Sequence, residues 1–326
     1  MIKKIIMTFL SQIYRAALLS SQAYYRMFPS TVKRVSARVI SVGNITWGGT
    51  GKTPLVAKLA RDLSYYGRKV VVLTRGYGKD EVAELKKKLP NIPILVGRDR
   101  IKTAREAIKT YNADFLILDD GFQHIRLGRD LDIVNINASQ PFGPGGLVPR
   151  GTLREPLDHL SRADVFMLTK SNIGSKNLHW IRQKLLSIKP NALIFEAVHK
   201  PLRFSDVLKG RFLTLSEIRG RKVATLSAIG DPFSFEKTVE NLGGEILFAA
   251  RYDDHHEYKA SEMRDFMRRC HEVNVHEVIT TEKDFYRLEP VLKAMEPGQV
   301  TVDFLTLQIE IQVNDEEDFI RRCLNP

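Results

Sequence analysis

Cysteine is nearly missing from this chain: Cys270 and Cys323 are the two in 326 residues. One pair cannot make a disulfide framework, and no Cys-x-x-Cys or Cys/His spacing of a structural zinc site occurs. Such usage fits a reducing cytoplasm. Glycine (21) and proline (14) are too few for a collagen-like or low-complexity chain, and 43% hydrophobic residues exclude disorder. Long apolar runs are also wanting near the start, where the uncharged stretch Ile5 to Tyr14 is ten residues, half of the ~20 needed to cross a bilayer. The most informative absence is of negative charge, since no Asp or Glu precedes Asp62.

What is present sharpens that asymmetry. Lys and Arg number 50 against 38 Asp and Glu, a net charge of +12, and the first 61 residues carry +10 of it. A basic excess implies an acidic partner, whether nucleic acid, a phosphorylated ligand or an anionic membrane. The pattern of the first 28 residues favours the membrane. Ile2, Ile5, Ile6, Phe9, Leu10, Ile13 and Ala17 recur on one side of a 3.6-residue helix, with Lys4, Thr8, Ser11, Gln12 and Arg15 opposite. Tyr14, Tyr24, Tyr25 and Phe28 beside Arg15 and Arg26 suit an interfacial helix on an anionic surface. A cleaved signal peptide is the rival, without a small-x-small cleavage site to support it. A helix docked on its own domain is another reading, compatible with the first. No nucleic acid and no obligate protein partner is expected.

From Ala37 onward short apolar runs alternate with amphipathic stretches. Strands are expected over 37–42, 69–73, 92–96, 115–118, 131–136, 165–168 and 192–195, with helices such as 54–66 and 101–110 between them. This repetition predicts an α/β fold with a doubly wound, mostly parallel sheet. A second cycle follows Lys200-Pro201, with strands at 223–226, 246–248, 277–280 and near 306–311, and helices near 234–242 and 260–273. The expected division is an N-terminal interface helix over 1–30, a nucleotide-binding domain over 31–200 and a smaller α/β domain over 201–326. No internal repeat is evident.

The strongest local signal is the strand 39–42 running into Gly43-Asn44-Ile45-Thr46-Trp47-Gly48-Gly49-Thr50-Gly51-Lys52-Thr53 and then a helix. This is a Walker A phosphate loop with Thr46 in place of its first glycine. Residues 46 to 53 are the expected nucleotide-binding set: glycines 48, 49 and 51 turn backbone N–H groups inward, Lys52 reaches the β/γ oxygens, and Thr53 ligates Mg²⁺. Phe115 to Asp120 supplies a Walker B strand, so that Asp119 or Asp120 holds the metal; paired acids capping a following helix are the plainer reading. Thr169-Lys170-Ser171-Asn172 is partly like a guanine-reading motif but lacks its closing Asp.

These residues, with Thr74-Arg75-Gly76-Tyr77-Gly78, Leu118-Asp119-Asp120-Gly121-Phe122-Gln123-His124, Gly151 to Leu157, Asp254-His255-His256 and Thr280 to Asp284, resemble the tetraacyldisaccharide 4'-kinase family of lipid A biosynthesis. The blocks come in the family's order from residue 37 on. The resemblance implies transfer of the ATP γ-phosphoryl group, with Mg²⁺, to the 4'-hydroxyl of a tetraacyldisaccharide 1-phosphate, a lipid substrate, at the cytoplasmic face of a bacterial inner membrane. Its Gly-Asp-Glu-Pro block, whose Asp serves as base with the His of Asp-His, is altered here to Lys79-Asp80-Glu81-Val82. Asp80 is its counterpart and Asp99 the competing candidate, although Asp99-Arg100 matches an ordinary helix start. The implied catalytic residues are therefore Asp80, His255 and Lys52. Glu155 joins Thr53, Asp119 and Asp120 as a metal contact, and His124, Arg126 and Arg154 are candidate substrate contacts. Alternatives are a P-loop kinase or GTPase with another substrate, or an inactive nucleotide-binding protein at the membrane.

Overall fold

The computed structural model describes residues 2–76, 79–254, 256–296 and 298–325, with side chains from position 5 and, past the 77–78 gap, from position 82. In chain order the elements are α1 (Ile2–Met27), β1 (Arg38–Gly43), α2 (Lys52–Tyr65), β2 (Val70–Thr74), α3 (Lys79–Lys88), β3 (Ile94–Val96), α4 (Arg100–Tyr111), β4 (Phe115–Asp119), β5 (Leu131–Asn137), β6 (Val165–Thr169), α5 (Leu178–Ile188) and β7 (Leu193–Asp206). They continue with β8 (Arg211–Leu213), β9 (Lys222–Ser227), α6 (Pro232–Asn241), β10 (Glu245–Arg251), α7 (Ala260–Glu272), β11 (Glu277–Thr281), α8 (Glu282–Lys293), β12 (Asp303–Val313) and α9 (Glu316–Leu324).

Two compact units emerge. The first comprises 1–77, 85–198 and 311–326; the second comprises 78–84 and 199–310. The expected division at 200, with everything beyond it in one body, therefore needs amending at the C-terminus. The end of β12 and the whole of α9 belong with the nucleotide-binding unit, because Ile311, Val313, Phe319, Ile320 and Cys323 are buried in the same apolar cluster as Leu55, Leu59 and Ile117. Lys58 of α2 seals that packing by pairing with Glu316 at 2.5 Å and Asp62 at 3.1 Å.

In the first unit the strands run β3-β2-β4-β1-β5-β6-β7, every pair parallel. From Val39 on, strands β1, β2, β4, β5 and β6 are buried on both faces, as a parallel sheet covered by helices on both sides requires. Val42 pairs with Asp119 across β1 and β4, so the phosphate loop and the Walker B carboxylates leave the sheet side by side at its carboxyl edge. Two glycines permit that proximity. A Cβ on Gly43 would meet the Phe122 Cβ at 2.5 Å, and one on Gly121 would meet the Ser41 Oγ at 2.6 Å.

Helix α1 docks on this unit by its polar side. The Ser11 hydroxyl donates to the Leu147 carbonyl at 2.9 Å and accepts from the Arg150 N–H at 3.1 Å, while the Tyr14 hydroxyl donates to the Arg154 carbonyl at 2.9 Å. The apolar stripe points to solvent: Ile5, Ile6, Phe9, Leu10 and Ile13 are all exposed, Phe9 by 65%.

The second unit is a smaller parallel sheet, β10-β9-β11-β12, with β8 antiparallel to the distal part of β7. One apolar cluster packs α7 and α8 on it, and another packs α6.

Candidate active site

The phosphate loop begins where β1 ends and closes as α2 starts. Gly48 (φ 111°) and Gly51 (φ 75°) both take the left-handed backbone that only glycine adopts freely. No side chain caps the N-terminus of α2 and no acid lies in its first turn, whereas Asp99, Asp231 and Thr281 cap α4, α6 and α8. The first amides of α2 are thus left to an anion, the arrangement that a nucleotide phosphate needs.

The loop is braced from beneath. Asn44 donates from Nδ2 to the Thr46 carbonyl at 2.6 Å and to Thr50 Oγ1 at 2.9 Å. The Thr50 carbonyl accepts from Thr169 Oγ1 at 3.0 Å and from Asn135 Nδ2 at 3.4 Å. The segment with a partial likeness to a guanine-reading motif therefore buttresses the loop backbone through Thr169. Thr46, which replaces a glycine, sits in a short antiparallel bridge to Leu153, and the Trp47 N–H donates to the Thr152 carbonyl at 2.7 Å. The indole of Trp47 is two-thirds exposed, at 66%.

Asp120 is the electrostatic hub. Both of its oxygens accept from the Arg154 guanidinium, at 2.7 and 2.9 Å, and Lys52 Nζ lies 3.7 Å from Oδ1. Burial pushes this carboxyl up, but Lys52 and Arg154 outweigh burial and hold it at about 2. Arg154 also donates to Asn44 Oδ1 at 3.1 Å, which links the Walker B acid to the phosphate loop. Asp119 is buried, with Thr74 Oγ1 donating to its Oδ2 at 3.3 Å and Arg100 donating to its backbone carbonyl at 3.1 Å.

Glu155 is engaged by protein on both oxygens. Gln123 Nε2 donates to Oε1 at 3.0 Å; His159 Nδ1 and Arg162 Nη2 each lie 2.6 Å from Oε2. Burial raises this carboxyl, yet His159 and Arg162 bring it below its ordinary value. Its place is beside the loop, since Gln123 also donates to the Asn44 carbonyl at 2.9 Å.

Among the described residues, two buried polar atoms in the segment just past Asp120 have no hydrogen-bond partner: Gln123 Oε1 and His124 Nε2. His124 sits among Arg100, Arg126 and Arg129. Burial first, and then those three cations, push its imidazole down to about 4, so it is neutral at physiological pH. A neutral imidazole set among three guanidinium groups suits an anionic ligand to which Nε2–H can donate, while the amide oxygen of Gln123 can only accept, from a hydroxyl or water. Asp99 caps α4, its Oδ1 accepting from the Ile101 and Lys102 N–H groups at 3.0 and 3.1 Å. These bonds hold it below the usual carboxylate range. The side chain of Asp80 and the whole of His255 lie outside the described residues; the backbone of Asp80 is in the first turn of α3.

Of the sequence-expected residues, contacts join Lys52, Asp120 and Arg154 at the phosphate loop, and Glu155 is tied to the same loop through Gln123; Thr53, Asp119 and His124 adjoin these residues in sequence, on α2, β4 and the turn that follows β4. Asn44, Thr74, Arg100, Gln123, Asn135 and Thr169 were given no role in the site from the sequence. Asn44 and Gln123 stand inside the motifs and were legible as polar residues flanking glycine turns, and Thr169 opens the segment partly like a guanine-reading motif, whereas Asn135 on β5 carries no local signal.

The comparisons with known proteins agree on one family. The sequence model described as tetraacyldisaccharide-1-P 4'-kinase matches residues 3–83 and 79–325, its two stretches meeting at the altered block around Asp80. A tetraacyldisaccharide 4'-kinase of Syntrophus aciditrophicus is 36% identical over 341 residues, covering 95% of this chain and 89% of the relative. One from Halothermothrix orenii is 36% identical over 313 residues, covering 86% and 81%. The crystal structure of an "apo" form LpxK from Aquifex aeolicus in complex with ATP shares the fold, with a TM-score of 0.69 at 24% identity over 97% of this chain and 96% of that one. With an uncapped phosphate loop, paired Walker B acids and a match spanning nearly its whole length, the chain belongs to the tetraacyldisaccharide-1-P 4'-kinase family.

Proposed function

We propose that this protein phosphorylates the 4'-hydroxyl of a tetraacyldisaccharide 1-phosphate with ATP, the step that gives lipid IVA in lipid A biosynthesis. Membership of the family supports the substrate, and the observation that carries the chemistry is the uncapped N-terminus of α2 with Lys52 and Arg154 converging on Asp120. In the reaction the 4'-oxygen attacks Pγ, the bond from Pγ to the β–γ bridging oxygen breaks, ADP leaves and the hydroxyl proton passes to a base. Lys52 and the loop amides neutralise the β- and γ-phosphates, and the loop, braced by Asn44, Asn135 and Thr169, keeps them in line for attack. Thr53, Asp119 and Asp120 would hold Mg²⁺, with Glu155 a further candidate; the metal, when bound, neutralises charge on the transferring group. Asp80 and His255 are the proposed pair that accepts the proton. His124, Arg126 and Arg154 are the proposed substrate contacts.

The exposed stripe of α1 supports a peripheral seat on the cytoplasmic face of the inner membrane, where a lipid substrate resides. Among the described residues no helix is long and apolar enough to cross a membrane.

The test is direct. Purified full-length protein with ATP, Mg²⁺ and tetraacyldisaccharide 1-phosphate in detergent micelles should yield a product carrying one more phosphate. Lys52→Ala should lower kcat by about 100-fold or more with the fold intact. Absence of transfer by the folded wild-type protein would overturn the proposal.

A further inference from the structure

An amphipathic helix ordinarily docks by burying its apolar stripe. Helix α1 leaves that stripe outside and covers a different face, on which Met7, Ser11, Tyr14, Leu18, Gln22 and Tyr25 recur at every third or fourth position. Ser11, at 5% exposure, is the most deeply covered of them. Hydroxyl groups, not the apolar stripe, therefore specify where this helix sits.

Both hydroxyls reach one loop of the same unit. Ser11 bridges the Leu147 carbonyl and the Arg150 N–H, and one turn on, the Tyr14 hydroxyl donates to the Arg154 carbonyl at 2.9 Å. Burial, the largest influence on the Tyr14 phenol, raises it above its ordinary value, so the proton is there to donate. Between these anchors the chain doubles back tightly. The Val148 N–H donates to the Leu153 carbonyl at 2.9 Å and the Leu153 N–H to the Gly146 carbonyl at 3.0 Å. A Cβ on Gly151 would meet the Gly145 carbonyl oxygen at 2.1 Å. The other edge of this loop holds the phosphate loop: Leu153 bridges Thr46, the Thr152 carbonyl accepts from Trp47, and the Arg154 N–H donates to the Ile45 carbonyl at 2.7 Å.

Arg154 is thus gripped at its carbonyl by α1, at its N–H by the phosphate loop and at its guanidinium by Asp120 and Asn44. With both of its peptide groups held, the direction of its Cα–Cβ bond is set. A bidentate fork needs that direction, because guanidinium and carboxylate must meet in a common plane. We infer that Tyr14 is a positioning residue that, through the Arg154 carbonyl, holds the Arg154 guanidinium on Asp120 beside the phosphate loop. Helix α1 is then a strut of the active site, independently of any lipid that its apolar stripe meets. The inference rests on the reading that Arg154 and Asp120 serve phosphoryl transfer.

The experiment compares Tyr14→Phe with wild type on the full chain, in the wild-type and Arg154→Ala backgrounds. Tyr14→Phe keeps the ring and removes the donor. Its kcat/KM for tetraacyldisaccharide 1-phosphate in detergent micelles should fall about 3-fold or more, with KM for ATP within about 2-fold of wild type. On the Arg154→Ala background the same change should cost less than about 2-fold, because the group it positions is gone. Equal losses on both backgrounds would make Tyr14 a general structural residue and overturn the inference. Cosedimentation of Tyr14→Phe with vesicles of anionic phospholipid should match wild type; its loss with kcat/KM unchanged would make Tyr14 an interfacial aromatic instead. A readout free of the reaction completes the test. In protein labelled with 15N-arginine, the Arg154 Nη–H signals, assigned by their loss in Arg154→Lys, should be sharp in wild type, where the fork restricts rotation, and broadened in Tyr14→Phe. Unchanged signals would overturn the inference. If wild-type protein transfers no phosphate, the proposed function fails, and these signals still decide whether Tyr14 holds Arg154. Thermal unfolding monitors folding, and Arg154→Lys serves as the second background should Arg154→Ala not fold.

Discussion

Asp120 keeps two cations, Lys52 and Arg154, in place before any nucleotide arrives. A triphosphate entering the loop competes with a carboxylate already ionised down to about pH 2, so the charge of Asp120 is constant across physiological pH. His124 behaves differently. Its folded imidazole titrates at about 4 against 6.5 for the free side chain, so the unfolded chain binds the extra proton first as pH falls. Stability from this group is full above pH 6.5 and is lost progressively as pH falls from 6.5 to 4. His124→Gln should flatten that part of the profile, measured by urea denaturation at pH 7 and pH 4.5. Asp80 and Asp99 give a second contrast. Asp99→Ala should lower the melting temperature through loss of the α4 cap while kcat stays within about 2-fold, whereas Asp80→Ala should lower kcat by about 100-fold or more with ATP affinity retained. The Walker residues were legible because their spacing is dictated by phosphate geometry. Arg154 was legible as part of a motif, but its bidentate hold on a residue 34 positions away was not, since sequence spacing carries no information on which loops meet.

At the scale of elements, α1 is amphipathic in the inverse sense of an ordinary surface helix. Its polar Ser11 and the Tyr14 hydroxyl face the protein, and Ile5, Phe9 and Ile13 face out. Phe9→Glu with Ile13→Glu should therefore abolish cosedimentation with anionic vesicles and leave the melting temperature nearly unchanged. Ser11→Ala should cost about 1 kcal/mol through the lost bonds to Leu147 and Arg150. The 3.6-residue period disclosed this helix, but not which face docks. Other elements escaped the sequence. Strand β7 is expected only over 192–195, yet it runs 14 residues to Asp206, through Pro201, where the domain boundary is expected, and its burial is too irregular for alternation to show. Helix α8 holds Pro290, and α9 is nine residues long, too short for periodicity to declare it.

For the molecule as a whole, the division into units is not a division of the chain into consecutive pieces. Residues 311–326 return to the nucleotide-binding unit after the chain has built the second. A fragment ending at residue 200 would leave the apolar cluster of Leu55, Leu59 and Ile117 without Ile311, Val313, Phe319 and Ile320. Such a fragment should lack a cooperative unfolding transition by near-ultraviolet circular dichroism, and a cooperative transition there would show α9 to be dispensable. The strand-helix alternation made the parallel sheets legible, while this return was hidden because Glu316 to Leu324 looks like any charged surface segment.

The return of α9 also sets an order in time. During synthesis the strands and helices of the nucleotide-binding unit emerge first, yet the last pieces of its core are translated only after all of the second unit. Until then the face of α2 that α9 covers stays open to water or to chaperones. A ribosome that stalls between residues 199 and 310 leaves a phosphate loop on an unfinished core, without the residues of β12 and α9 that complete it.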